Sequence, residues 1–146
     1  MTIIIDASII ISALITPAGK EAAIIFDYAH KLDFVAPDLM YDEVLSKKNK
    51  IIASYHLNEA FFEQSLLLIT DTISVFSVEK YSPDILRVAI DLTYSVDKKD
   101  TQYIALTILL ESLFWTGDPK LLRGLKRKGF PHIITTLDFE QILKGI

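Results

Sequence analysis

Ile3-Ile4-Ile5 is a β-branched run closed by Asp6, and the apolar stretch Ser8 to Leu14 follows it directly. Such a sequence reads as a buried strand feeding straight into a helix. The alternation then recurs. After the turn Thr16-Pro17-Ala18-Gly19, the residues Ala22, Ile25, Phe26 and Ala29 fall on one helical stripe that ends near His30. Leu32 to Ala36 is the next short strand. Pro37-Asp38 opens a helix running to the basic patch Lys47, Lys48, Lys50, and Asn58 caps another through Phe61, Phe62, Leu66 and Ile69. Ile73 to Val78 alternates as a strand, Ser82-Pro83 starts a helix to about Tyr94, and Asp97 to Glu111 reads as a further helix. Leu113 to Thr116 is a strand, Leu121 to Lys128 a short basic helix stopped by Gly129, Ile133 to Thr135 the last strand, and Asp138 to Leu143 the final helix. Strands that alternate with helices from end to end pair in parallel, because each helix returns the chain across the sheet. The pattern predicts an α/β fold, a three-layer α/β/α sandwich around a parallel sheet of four to five strands. The length of 146 residues predicts one domain over 1–146.

Composition narrows the function classes. With 51% apolar and 23% charged residues the chain can bury a sizeable core, which excludes disorder. No apolar run approaches the roughly 20 residues that span a bilayer. The apolar N-terminus has no basic leader and carries Asp6 inside it, which predicts a mature, cytoplasmic start and no membrane partner. Zero cysteines exclude a disulfide scaffold, thiolate catalysis and cysteine-zinc sites. The formal charge of -4 argues against nucleic-acid binding driven by net charge, but its distribution is uneven. Lys120, Arg123, Lys126, Arg127 and Lys128 follow one another with no acid among them, so a polyanion can be bound locally.

The carboxylates carry the chemical signal. Right-handed crossovers put the C-terminal ends of all parallel strands on one edge of the sheet, where such folds place their sites. Asp6 and Asp118 stand at those ends. Asp97 and Asp100 begin a helix after a long crossover, and Glu43 lies about one and a half turns into the helix beyond the second strand, so four or five carboxylates can converge. Like charges that close require raised pKa values or bound hard cations, and oxygen-only ligation favours Mg²⁺ or Mn²⁺. The same residues also read as helix caps: Asp6 and Asp97 suit N-cap positions, Asp100 the N3 position of a capping box, and Asp118-Pro119 an N-cap followed by proline. Glu43 has no capping role, although an exposed helical Glu is commonplace.

Four segments together resemble the PIN domain family: Ile3-Ile4-Ile5-Asp6-Ala7-Ser8, the pair Asp42-Glu43, Asp97-Lys98-Lys99-Asp100-Thr101-Gln102-Tyr103-Ile104-Ala105-Leu106, and Trp115-Thr116-Gly117-Asp118-Pro119-Lys120-Leu121. Their order and spacing match along essentially the whole chain. The resemblance implies a PIN-like fold and an Mg²⁺- or Mn²⁺-dependent endoribonuclease whose acidic residues are Asp6, Glu43, Asp100 and Asp118. Asp97 would be a supplementary ligand or a cap, and Ser8 and Thr116 would orient the acids. Many small members of the family are VapC-like toxins of toxin-antitoxin pairs, which implies RNA as substrate and an antitoxin protein as partner.

Two competing readings differ in class. An aspartyl-phosphate phosphotransferase would use Asp6 as nucleophile, and a haloacid-dehalogenase-like site of that kind would need a second acid two residues on, where Ser8 stands. A catalytically silent PIN-like module that binds protein or RNA is separated from the enzyme by metal-dependent cleavage. His30, His56 and His132 show no metal-ligand spacing and are assigned no chemistry. Lys120, Arg123, Lys126 and Arg127 read either as a solvated helix face or as contacts to RNA phosphates, and Lys47, Lys48 and Lys50 are similar. Trp115 is a core residue; Tyr55, Phe61 and Phe62 belong to the core or to a protein interface. The apolar content of Ala53 to Ile69 and Ile85 to Tyr94 predicts a homodimer.

Overall fold

A computed structural model describes residues 1–77 and 80–146, so Val78, the end of the predicted third strand, lies outside the described residues. The first strand, β1 (Thr2–Ile5), has Ile3, Ile4 and Ile5 fully buried, as an apolar run in the centre of a sheet must be. On either side of it lie β2 (Asp33–Pro37) and β4 (Leu113–Trp115), with β3 (Ile73–Phe76) and β5 (Ile133–Ile134) at the edges, giving the order β3-β2-β1-β4-β5 with every pair parallel. The register sets Ile4 beside both Val35 and Phe114.

The strand order decides where the helices go. From β1 the chain steps outward through α1 (Ala7–Ile15) and α2 (Lys20–Tyr28) to β2, then through α3 (Leu39–Ser46), α4 (Lys48–Tyr55) and α5 (Glu59–Thr70) to β3. It then jumps back past β1 through α6 (Pro83–Thr93) and α7 (Thr101–Leu109) to β4, and α8 (Pro119–Arg127) leads to β5 and α9 (Thr136–Leu143). Right-handed crossovers that reverse direction must use the opposite face, so α6 and α7 cover one face and α1 to α5 the other. The packing agrees: α1 meets α2, α3 and α5, whereas α7 lies over β1, β2 and β4 with α6 on its back. Phe114 stacks on Tyr103 of α7, while its neighbour Trp115 points the other way, packing edge-on to Phe139 of α9 at 4.8 Å and donating from Nε1 to Thr136 Oγ1.

Most predicted elements are present, with shifts that have local causes. Asn58 and Ser82 accept from the N–H groups of Phe61 and Ile85 as N-caps, and Gly129, with φ of 84°, ends α8. The helix α4 was absent from the sequence reading, which ended the preceding helix at the lysines; it is separate because the chain breaks at Lys47 and is tied down by Lys48, whose Nζ bonds Glu59 and Glu63 of α5 at 2.7 and 2.9 Å. The last helix starts at Thr136 and not at Asp138, because Thr135 and Asp138 form a reciprocal capping box. Asp97 to Glu111 is not one helix: a 3₁₀ turn at Lys98–Asp100 precedes α7, which moves Asp100 from the predicted N3 position to the N-cap.

Gly124 sits within α8, where glycine costs about 1 kcal/mol relative to alanine. A Cβ there would stand 2.5 Å from Val96 Cγ1 and 2.9 Å from Cγ2. Gly124→Ala should therefore destabilise the fold by roughly 1–3 kcal/mol despite the better helix propensity, and Val96→Ala in the same chain should recover part of the loss. Urea unfolding of the two single variants and the double variant checks this; a Gly124→Ala protein more stable than wild type would refute the close approach.

Candidate active site

The direction reversal between β1 and β4 makes a topological switch point, and a crevice opens beyond the C-terminal ends of those two strands. Asp6 follows β1 directly and its N–H donates to Trp115 O, which ties the turn after β1 to the end of β4. Although Asp6 occupies the N-cap position of α1, its carboxylate makes no capping bond, contrary to the capping reading. Two hydroxyls, one local and one distant in sequence, take it instead. Ser8 Oγ donates to Asp6 Oδ2 at 2.8 Å and Thr116 Oγ1 donates to the same oxygen at 2.5 Å, and neither takes Oδ1.

Both hydroxyls also accept. Gly117 N–H donates to Ser8 Oγ at 3.0 Å and Asp118 N–H to Thr116 Oγ1 at 3.1 Å. The turn that carries Asp118 is thus fastened to Asp6 by two side chains. Asp118 is a genuine N-cap, with Oδ1 accepting from the N–H groups of Lys120 and Leu121. Asp97 Oδ1 accepts from the Lys99 N–H, an Asx turn at the start of the 3₁₀ segment. Asp100 stands at the N-cap of α7 without a capping bond.

A cavity of 160 Å³ is lined by Asp6, Glu43, Asp97, Asp100 and Asp118, together with Ser8, Lys47 and Lys99. All five acids singled out in the sequence therefore reach one crevice, from β1, α3, the 3₁₀ turn and the start of α8. Lys47 and Lys99 are the residues that reasoning from acids alone did not single out for the site; the Asp97-Lys-Lys-Asp100 spacing was the available signal. Tyr103, buried under Phe114, is a further neighbour. Among the described residues, no three acidic or histidine side chains form a ready-made metal-ligand group. His30, His56 and His132 are all exposed, consistent with having no part here.

The electrostatics of the crevice favour a cation. Burial pushes the Asp6 carboxyl up, the Thr116 and Ser8 hydroxyls pull it partly back, and the charge of Asp118 adds to the rise. Glu43 is raised by burial, with Tyr103 offsetting and Asp6 adding, while Lys47 offsets and Asp97 adds. Asp100 is pushed up to about 8 by burial and then by the charges of Asp6, Asp97, Glu43 and Asp118. Tyr103 is pushed up by burial and by the charges of Glu43 and Asp6. Glu43 Oε1 and the Tyr103 hydroxyl are buried without a hydrogen-bond partner of ordinary geometry. A buried Glu43 oxygen faced only by the Tyr103 hydroxyl, an all-oxygen acidic donor set and carboxyls whose mutual repulsion a cation would relieve fit a hard divalent cation.

The basic run divides. Lys120 and Arg127 line a second cavity of 310 Å³ with Lys128, Ser95 and Val96, and Lys128 Nζ donates to Asp91 O. Arg123 and Lys126 are exposed elsewhere on α8, and the charge of Lys126 acts on Asp138.

The PIN domain profile matches residues 4–138, which takes in every one of these acids. The chain belongs to the PIN domain family. PIN domains are generally nucleases, and they generally use divalent metal ions. The fold is similar to that of PAE2754 from Pyrobaculum aerophilum, with a TM-score of 0.64 and 16% identity, covering 100% of this chain and 97% of that one. It is also similar to a chain in the crystal structure of VapBC2 from Rickettsia felis bound to a DNA fragment from their promoter, with a TM-score of 0.61, 11% identity, and 92% and 97% of the two chains covered. No curated protein matches this PIN domain in sequence.

The raised Asp100 couples stability to pH in a definite direction. Its folded value of about 8 lies above its ordinary value of 3.8, so between these values the native state holds more protons than the unfolded one. Metal-free stability must fall as pH rises through that window, by at most about 1.4 kcal/mol per pH unit for one carboxyl. Asp6 and Glu43 shift in the same direction. Thermal melts in chelator should show Tm decreasing from pH 5 to pH 8, and Asp100→Asn should flatten the upper part of that slope. An unaltered slope in Asp100→Asn would assign the effect to another group.

Proposed function

We propose that this PIN domain, acting as one unit over residues 1–146, is a cytoplasmic endoribonuclease dependent on Mg²⁺ or Mn²⁺. The observation that supports it best is the single crevice at the switch point onto which Asp6, Glu43, Asp97, Asp100 and Asp118 all open. Asp6, Glu43, Asp100 and Asp118 would hold the cation, with Asp97 as a supplementary ligand. When bound, a hard divalent ion supplies Lewis acidity to phosphodiester oxygens and favours ionised carboxylates.

The remaining roles belong to the chain itself. Ser8 and Thr116 hold Asp6 Oδ2 in a fixed orientation, so the acid enters the reaction without a rotamer search. The Asp118 carboxylate is steadied through Oδ1 by the first turn of α8. Lys99 and Lys47 stand at the crevice wall, where they would meet phosphate oxygens, and Lys120 and Arg127 in their separate cavity, with Arg123 and Lys126 exposed on α8, would contact further phosphates. The family resemblance to VapC-like toxins further supports an antitoxin partner that covers the acidic edge.

RNA cleavage should appear with Mn²⁺ or Mg²⁺ and vanish in chelator. Asp6→Asn, Asp100→Asn, Asp118→Asn and Glu43→Gln should each lower kcat by roughly 100-fold or more, the size usual for losing a group that stabilises transition-state charge. Full activity in chelator would overturn the metal-dependent reading, and a normal rate for Glu43→Gln would remove that residue from the site. We also propose a homodimer, supported by the exposed apolar side chains Leu67, Leu68, Val88, Ile90 and Tyr94. Sedimentation at micromolar concentration should give twice the chain mass; a single 16.5 kDa species contradicts it.

A further inference from the structure

The acidic crevice does not end at its own wall. Ser8 and Lys47 line it and also line a second cavity of 400 Å³, whose other walls are Ile11 and Ile15 of α1 and Lys50, Ile51, Ser54 and Tyr55 of α4. The two cavities therefore adjoin along a groove, with Ser8 and Lys47 common to both linings. Its chemistry changes along its length, from carboxylates through a lysine to an apolar floor with a second lysine and an aromatic ring. Ile51 is buried, whereas Tyr55 is 53% exposed. Among the described residues, Lys47 and Lys50 are in no ion pair, but Lys48 between them is held by Glu59 and Glu63. Lys50 is therefore left over for a ligand, Lys47 acts on Glu43 from the junction, and both line this groove.

A polyanion cannot approach bare carboxylates without cations beside them, and an aromatic face next to such cations binds unpaired bases. The volume is in the range that takes one small ligand. We propose that the groove between α1 and α4 is a nucleotide subsite for single-stranded RNA, in which an unpaired base stacks on Tyr55 and the adjoining phosphates meet Lys50 and Lys47 on the way to the carboxylates. The proposal rests on the nuclease reading of the acidic crevice and specifies the side from which the strand enters. Tyr55 is the anchor because every base has a face to stack, which makes the subsite tolerant of sequence.

The test uses the full chain and a fluorescein-labelled single-stranded RNA octamer, with binding read by anisotropy in chelator and cleavage read with Mn²⁺. Tyr55→Ala should weaken binding roughly tenfold while Tyr55→Phe stays within about twofold of wild type, because stacking needs the ring and not the hydroxyl. Lys50→Ala should weaken binding and reduce the salt slope by about 0.7, the loss of one phosphate contact on a single strand. In cleavage, both changes should raise KM and leave kcat unaltered. Unchanged binding in Tyr55→Ala and Lys50→Ala, or a Tyr55→Phe protein as weak as Tyr55→Ala, overturns the subsite. So does an unlabelled RNA duplex that competes as well as the single strand. Dissociation of a self-associated chain by Tyr55→Ala with RNA binding intact would give the groove to a second copy instead. A wild type that binds the octamer through Tyr55 but does not cleave keeps the subsite and removes the nuclease reading; a wild type that cleaves while the groove variants bind normally does the reverse.

Discussion

Two hydroxyls on one carboxylate oxygen hold the functional end of this molecule together. Asp6 Oδ2 receives Ser8 from its own turn and Thr116 from the turn after β4, and the same hydroxyls accept from the backbone of residues 117 and 118. A buried carboxylate is costly unless its lone pairs are used. Here that requirement is met by the two strands on either side of the switch point, so satisfying Asp6 also sets the position of Asp118. The opening between the strands is a consequence of topology, but its shape depends on this polar stitch. The Asp6 N–H bond to Trp115 O adds a third tie across the same gap.

Around that stitch the apolar residues divide cleanly between the two faces. Phe114 and Trp115 are neighbours in one strand and point to opposite layers, one stacking on Tyr103 and the other packing against Phe139. The result places Tyr103, and with it α7, directly behind the crevice, and brings Asp100 at the head of α7 toward Asp6 and Glu43. Core packing therefore presses Asp100 against the other acids, and its burial among like charges is what carries its titration toward neutrality.

Strand and helix identity were legible in the sequence because each apolar run had a clear period and most had a punctuating residue: Asn58, Ser82-Pro83 and Gly129 each do in the fold what their chemistry suggested. The convergence of Asp6, Glu43, Asp97, Asp100 and Asp118 was legible too, from the rule that parallel strands share a C-terminal edge. What escaped was set by partners distant in sequence. Lys48 ties α4 to Glu59 and Glu63 of α5, and Asp6 bonds Thr116, more than a hundred positions away, without capping α1. The Thr135-Asp138 capping box was readable locally and fixes a helix start that periodicity alone placed too late. No residue pattern distinguished Lys48 from Lys47 and Lys50; only the fold separates the engaged cation from the two that line a groove.

The strand order has a consequence for the chain while it is being made. β1 is the first element and its neighbour β4 comes after more than a hundred further residues, so an emerging chain can pair β1 with β2 and β3 long before β4 exists. Up to that moment Asp6, Glu43, Asp97 and Asp100 are present, but Thr116 is not there to turn the first of them and Asp118 is missing altogether. The crevice is closed by β4 and the turn after it, and a ribosome-bound fragment that stops short of residue 113 has a half-built sheet and no completed site. Any chemistry of this crevice begins only once residues 113–118 have joined the sheet.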